Sequence, residues 1–320
     1  MKEELLIRAS ELYYQQNLSQ NEIAEFFSIS RPTVSRLLDE AKETGIVEII
    51  IHSPINKNIQ LSKKVRQTFN LKDAVVLKGN YLYEEALQKC SVIASQYVHS
   101  ILGNNMSIGI SWGFPMNCFA EALEKKEYYN VNVVQMVGCL GTGNPNLDGL
   151  ELAIKISEKL KGTYSNIYAP VFVDSAVVQR YFLAEHQIEN TIRKAQKTDI
   201  IITGVGSLFD DTSSLQTTGY ICEEERQNLL AKGAVGHMLS RMIDMEGNEI
   251  PLDHKYVISA SLDCLKQSRW SICISAHPKK TKPLYAALTS SYINIPIIDE
   301  SLAQSLLDLH ATRINNKVAP

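Results

Sequence analysis

Apolar positions in the first fifty residues recur at helical spacing, interrupted by short polar turns. In "EELLIRASELYYQ" the residues Leu5, Ile7, Ala9, Leu12 and Tyr13 predict one helix. Ser19, with Glu22 three residues on, is a capping-box signature, so a second helix begins there and carries Ile23, Ala24 and Phe27. Ser28-Ile29-Ser30 makes a turn. Ser30 caps a third helix, and Pro32 is tolerated in its first turn because those amides have no helical acceptor. Val34, Leu37 and Leu38 form its inner face. Gly45 stops it, and the β-branched run "GIVEIIIHSP" predicts a strand closed by Pro54.

"NKNIQLSKKVRQTFNL" predicts a linking helix with Leu61, Val65 and Phe69 on one face and its basic residues on a solvated one. From Asp73 the rhythm changes. Short β-branched runs ("DAVVL", "MSIGIS", "VNVVQMVG", "SNIYAP", "DIIITGVG", "WSICIS", "INIPIID") alternate with helical patterns such as "EEALQKCSVIASQYVHSIL" and "ELAIKISEKLKG". Such alternation predicts an α/β domain with a mostly parallel sheet covered by helices. The expected layout is a head of short helices with a winged element over 1–54, a linker helix over 55–72, an α/β domain over 73–310, and a tail over 311–320.

Bulk properties narrow the class. A chain of 320 residues with 45% hydrophobic content has material for about two domains. No run of about 18 apolar residues predicts a membrane helix, and the charged N-terminus "MKEELLIRASELYY" lacks the apolar centre of a signal peptide. Six scattered cysteines without a C-x-x-C pair argue against a zinc cluster or disulfide framework and fit a reducing cytoplasm. The formal net charge of −3 means that nucleic-acid binding would need a local basic surface.

Residues 19–41 resemble a helix-turn-helix. Ala24 stands where the helices approach, Ile29 is the turn apolar, and Ser28 occupies a place where the motif often has glycine. The third helix would present Ser30, Arg31, Thr33, Ser35 and Arg36 outward. Arginine can pair bidentately with guanine in the major groove, and hydroxyls suit phosphates or base edges. A solvated helical hairpin would explain the arginines but not the agreement of cap, spacing and turn. Residues 1–50 nonetheless carry five basic against nine acidic side chains. One head should therefore bind double-stranded DNA weakly, and a homo-oligomer would be needed to sum several.

In a parallel α/β sheet, ligands bind beyond the carboxyl ends of the strands. Glycine turns fall there: "SWG", "GCLGTG" and "GVGS", joined by "HPKKTK" after "WSICIS". Glycines let backbone amides approach an anion, helix starts add positive potential, and Lys280 offers a formal charge.

Taken in order, "LYYQQNLSQNEIAEFFSISRPTVSRLL", "IGISWG", "VVQMVGCLG", "GVGS", "GAVGHMLSRMIDMEG" and "KPLYAALTSSYINIPIIDESLAQSLL" resemble the SorC family of sugar-responsive bacterial transcription regulators over nearly all of residues 5–309. The resemblance implies an effector domain related in fold to phosphosugar isomerases, a phosphorylated sugar or polyol as effector, a tetramer, and no cofactor or metal. It implies that Ser111, Gly113, Gly138, Gly141, Gly204, Gly206, Ser207 and Lys280 line the effector pocket. Three departures stand in these motifs. His237 replaces the usual aspartate of "AVGD", Ser275-Ala276-His277 replace "AGG", and Gly138-Cys139 replace "GG". Lone histidines are more often structural than switches, and Cys139 reads as a small packed thiol.

A second function class is a phosphosugar isomerase carrying a DNA-binding head. Proton transfer would need a positioned acid–base pair. Asp148, Asp244 and Glu246 are the candidates, but none sits in a catalytic pattern, and "VVQMVG" has no lysine to form a Schiff base.

Overall fold

The computed structural model describes residues 2–47, 57–141, 143–144, 146–209 and 213–318. They fall into two compact units, 1–54 and 55–320. The expected strand in "GIVEIIIHSP" lies outside the described residues beyond Val47.

The first unit is helical: α1 (Lys2–Ser10), a π-helical turn (Glu11–Gln15), α2 (Gln20–Phe27) and α3 (Arg31–Glu43). Its core joins Leu12, Ile23, Ala24, Val34 and Leu38, with Leu6, Ala9, Leu37 and Ala41 beside them. On α1 the buried apolar positions are Leu6 and Ala9, while Ile7 is exposed. The expected face holds at Ala9 and Leu12 but not at Ile7, because positions three and six before Ala9 and Leu12 fall on Leu6. Gly45, at φ +76°, follows the last turn of α3 in the left-handed region that favours glycine.

The second unit runs α4 (Ile59–Thr68), β1 (Val75–Leu77), α5 (Tyr83–Ile101), β2 (Ser107–Ile110), α6 (Phe114–Ala122), β3 (Asn132–Gln135), α7 (Gly149–Leu160), β4 (Thr163–Ser165), β5 (Phe172–Val173), α8 (Ala176–Ala184), α9 (His186–Ala195), β6 (Ile200–Thr203), β7 (Gly206–Ser207), α10 (Ser214–Thr217), α11 (Glu223–Ala231), β8 (Gly236–Met238), β9 (Arg241–Ile243), β10 (Glu249–Ile250), β11 (Tyr256–Val257), α12 (Asp263–Gln267), β12 (Trp270–Ser275), a 3-10 turn (Pro278–Lys280), α13 (Thr281–Thr289), β13 (Ile295–Asp299) and α14 (Glu300–Val318).

Seven strands form a parallel sheet in the order β1-β13-β12-β6-β2-β3-β4. Alternation along each strand divides two apolar layers. Ile108, Ile110, Val133, Ile200, Ile202, Ile272, Ile274, Ile295 and Ile297 face one layer; Val134, Ile201, Cys273 and Ile298 face the other. A sheet buried on both faces must be apolar at successive positions, which is why these strands read as β-branched runs. β4 ends at Ser165, so most of "SNIYAP" is loop. The reason is local: beyond Ser165 the Ile167 amide donates to the Gln135 side chain (2.9 Å) instead of continuing the ladder.

Two small antiparallel elements were not legible in the sequence pattern. One is the four-stranded sheet β10-β9-β8-β7, and the other pairs β11 with β5. Their strands are two or three residues long, too short for a period-two signal. The chain leaves β2 toward β3 and β4, and leaves β6 toward β12 and β13, while β2 and β6 are neighbours. The sheet therefore has its topological switch point between them, the place where α/β folds open a crevice.

Candidate functional site

Helices α2 and α3 of the head are built as their caps require. The Ser19 amide donates to Glu22 Oε2 (2.8 Å), and the Glu22 amide donates to Ser19 Oγ (3.3 Å). Ser28 adopts the left-handed conformation (φ 54°, ψ 43°) that ends α2, and its amide donates to the Ala24 and Glu25 carbonyls. That conformation is the one glycine favours, so serine carries a modest backbone strain there. Ser30 caps α3, accepting from the Thr33 amide at 3.4 Å, and the two hydroxyls lie 2.8 Å apart. Ser30, Arg31 and Arg36 are exposed, and Thr33 and Ser35 are half-buried. The Arg36 Nε donates to the Pro32 carbonyl (3.4 Å), which lays its side chain back along the first turn. Phe26 is 61% exposed on α2, a large apolar surface the helical pattern did not single out.

In the second unit a cavity of about 450 Å³ opens at the switch point. Its walls come from the ends of β2 and β6, from β8 and the turn after it, from α10, and from the Pro278–Lys280 turn. Ser111 closes β2, where the Thr203 hydroxyl donates to its Oγ (3.0 Å). Gly113 follows at φ +99°, a conformation that lets the chain turn into α6; its amide donates to the Leu147 carbonyl (3.0 Å). Trp112 lies between them. Its Nε1–H donates to Ser240 Oγ (2.8 Å), and its ring stacks on His237 at 6.1 Å and 15°.

His237 is buried in β8, with Nε2 3.2 Å from Ser214 Oγ. Burial, then the charge of Lys280, push its pKa down to about 3, so the ring is neutral at physiological pH. Its ring occupies the space over Gly206: a Cβ there would stand 1.8 Å from Nε2.

His277 holds the lysine-bearing turn. Its amide donates to Asp299 Oδ1 (2.9 Å), and its Nδ1 accepts from the Lys279 amide (3.1 Å). It does so at φ +77°, unusual for a residue with a Cβ, and these two hydrogen bonds offset that strain. Lys279 and Lys280 both line the cavity.

Of the eight residues expected at the pocket, Ser111, Gly113, Gly204, Gly206 and Lys280 lie in its wall. Gly138, Gly141 and Ser207 are not among the lining residues. Gly138 packs against the backbone at Ala169 and Pro170, where a Cβ would fall 2.7 Å from each carbonyl oxygen. Gly141 turns at φ +64° and gives its amide to Asp148 Oδ2 (3.0 Å). Ser207 Oγ is fully buried and accepts from the Phe209 amide (3.1 Å). Trp112, Thr203, Ser214, Thr217, Thr218, Leu239 and Ser240 join the wall without having been singled out. Trp112 stands in "SWG", Leu239 and Ser240 in "GAVGHMLSRMIDMEG", and Thr203 closes the apolar run "III", but none was read as a site residue. Cys139 donates to the Ile167 carbonyl (3.4 Å) and its thiol pKa is raised, first by burial and then by Asp148.

Residues 53–308 match a family model for a sugar-binding domain, and residues 9–53 match the MarR family. The deoxyribonucleoside regulator of Bacillus subtilis strain 168 is 32% identical over 309 residues, spanning 96% of this chain and 98% of its own. The sorbitol operon regulator of Klebsiella pneumoniae is 27% identical over 310 residues, spanning 95% of this chain and 97% of its own. The crystal structure of the full-length sorbitol operon regulator SorC from the same species matches at a TM-score of 0.73, covering 95% of this chain and 98% of that one. The chain belongs to the SorC family of sugar-responsive bacterial transcription regulators, which join a DNA-binding helix-turn-helix head to a sugar-binding domain.

Proposed function

We propose that this regulator acts in the cytoplasm as a homo-oligomer, reads operator DNA through Ser30, Arg31, Thr33, Ser35 and Arg36, and changes its DNA affinity when a phosphorylated sugar occupies the cavity. The observation that carries the effector reading is the cavity at the β2–β6 switch point. Glycines 113, 204 and 206 line it beside Ser111 and Thr203, and Lys279 and Lys280 supply positive charge. Its volume of about 450 Å³ suits a small metabolite. The names of the relatives, which speak of a deoxyribonucleoside and of a sorbitol operon, support a carbohydrate-derived ligand.

Binding without turnover is the better-supported class. Asp148 caps α7 and accepts from the Leu140, Gly141 and Leu150 amides. Asp244 organises the turn at Glu246 and Asn248, and Glu246 pairs with Arg313 (2.7 Å). None of the three lines the cavity. Among the described residues no helix is long and apolar enough to cross a membrane. The acidic balance of the head favours an oligomer, since several weak heads joined by one body sum their affinities.

A thermal-shift series with sugar phosphates and their unphosphorylated parents tests the effector. A ligand at a hundredfold excess over its Kd stabilises by about 2.7 kcal/mol. Conversion of any phosphate to product would instead make the protein an enzyme.

A further inference from the structure

Asp299 and Glu300, at the junction of β13 and α14, are neighbours tethered to different parts of the fold. Asp299 is buried. Its Oδ1 accepts from the His277 amide (2.9 Å), and its Oδ2 accepts from the Ser301 hydroxyl. Through His277 it holds the turn that carries Lys279 and Lys280 into the cavity wall. Glu300 opens α14, where a carboxylate would ordinarily serve the free amides of its own helix. Its two oxygens are used elsewhere: Oε1 accepts from Asn58 Nδ2 (2.7 Å), and Oε2 from the Gly79 amide (2.8 Å). Asn58 is the N-cap of α4, the first helix after the head in the sequence, and its Oδ1 accepts from the Leu61 amide (2.9 Å). The Asn58 amide donates to the Val76 carbonyl on β1 (2.8 Å). Neither Asn58 nor Glu300 lines the cavity.

We propose that Glu300 is the positioning residue through which occupancy of the cavity is passed to α4. The inference rests on the phosphosugar reading above and adds the route of its regulation. An anion that draws on Lys279 and Lys280 pulls on their turn, and that turn is tied to Asp299. Asp299 and Glu300 are joined by one planar peptide, with no flexible side chain between them. A shift at Asp299 therefore alters the aim of the Glu300 carboxylate at Asn58, and a charge-assisted hydrogen bond depends steeply on distance and angle. The Asn58–Glu300 clip is made in one arrangement and broken in another, which is the two-state element that coupling requires. By linkage, breaking the clip changes ligand affinity by the same factor as the ligand changes the clip.

The test titrates the full-length protein calorimetrically with ribose 5-phosphate, 2-deoxyribose 5-phosphate, fructose 6-phosphate and glucose 6-phosphate, and takes the tightest forward. Asn58→Asp keeps an N-cap for α4 but sets a carboxylate against Glu300. Its Kd is expected to differ from wild type by on the order of fivefold or more, the lower end of typical coupling. Adding Glu300→Gln reverses the bond: the new amide donates to the carboxylate at position 58, its oxygen still accepts from Gly79, and Kd should return to the wild-type value. A bond that only stabilised the fold would move the melting temperature and leave Kd alone. Asn58→Ser, which caps α4 but is too short to reach Glu300, should show the same shift and carries the test if Asn58→Asp fails to melt cooperatively. Unchanged Kd in the folded variants overturns the inference and leaves the phosphosugar reading standing. A changed Kd that Glu300→Gln does not restore removes Glu300 from the role. Binding of none of the four phosphates by the wild type overturns both.

Discussion

The indole of Trp112 donates to Ser240 Oγ at 2.8 Å across a sequence separation of 128 residues. This bond ties the end of β2 to the two-residue turn between β8 and β9. Leu239 and Ser240 in that turn both sit in the left-handed region, at φ 47° and 61°, which is costly for side chains with a Cβ. Positive φ at both central residues matches the twist of the flanking strands, and the turn delivers Ser240 to a buried donor. Ser240→Ala leaves the indole N–H unpaired and should lower stability by about 1–3 kcal/mol in urea unfolding. Adding Trp112→Phe should recover part of that loss, since the orphaned donor is gone. Strict additivity of the two substitutions would show that the bond contributes nothing.

Gly206 is constrained from a different direction. The His237 ring fills the place of its missing side chain, and Gly236 beside it would place a Cβ 2.2 Å from the Gly206 carbonyl oxygen. Gly206→Ala must therefore displace the imidazole or the strand. The expected result is a loss of about 1–3 kcal/mol in stability with weakened ligand binding. A melting curve and a ligand titration that both match wild type would show that β7 and β8 yield freely.

What was legible in the sequence follows from how local each signal is. The head was readable because capping is local: Ser19, Glu22, Ser30 and Pro32 act within four residues of themselves. The large sheet was readable because strands buried on both faces are mostly apolar at successive positions, as in Ile200–Thr203 and Trp270–Ser275. The cavity was readable only in part. Gly113 and Gly206 do lie in its wall, but glycine equally serves close backbone packing, as at Gly138, and simple turning, as at Gly141. Residues that reach the wall from distant segments, such as Trp112 with Ser240 or His237 with Ser214, leave no mark in local spacing.

On the DNA side, Arg31 and Arg36 are exposed at the start of α3, while Val34, Leu37 and Leu38 hold the helix from within. Arg31→Ala and Arg36→Ala should each weaken specific operator binding by about 1–3 kcal/mol at a fixed salt concentration, without changing the helical circular-dichroism signal. Ser30→Ala acts on the fold instead, removing a cap worth about 1 kcal/mol. Unchanged operator affinity in both arginine variants would remove α3 as the reading helix.

Acid should act on the second unit through His237. Its folded pKa of about 3 lies below its ordinary value of 6.5, so the unfolded chain binds a proton that the folded chain refuses. The stability this group supports is complete above pH 6.5 and is lost as pH falls from 6.5 toward 3. The slope is about 1.4 kcal/mol per pH unit, or about 2 kcal/mol between pH 6.5 and 5. His99 shifts in the same direction, chiefly through burial, so the whole-protein curve contains more than one histidine. His237→Gln isolates the effect: its unfolding free energy should fall less steeply over this window. Parallel curves for variant and wild type would place the acid sensitivity elsewhere.

The proposed link between effector and DNA response can be tested at Lys280. It lines the cavity, and its charge is felt at His237. An anionic ligand gains from that charge, whereas a neutral sugar gains only from the hydroxyls. A ligand changes DNA affinity only if it binds one arrangement of the regulator more tightly than another; equal binding to both shifts nothing. Lys280→Ala should therefore weaken binding of the best sugar phosphate and blunt its effect on operator affinity, while leaving ligand-free operator binding near wild type. The decisive comparison is a pair of titrations, of phosphate and of unphosphorylated parent, on both proteins. The phosphate's advantage over its parent should shrink in the variant. An advantage of the same size in both proteins would assign the anion to Lys279 or to the backbone alone. No advantage in either would make the effector a neutral sugar or polyol.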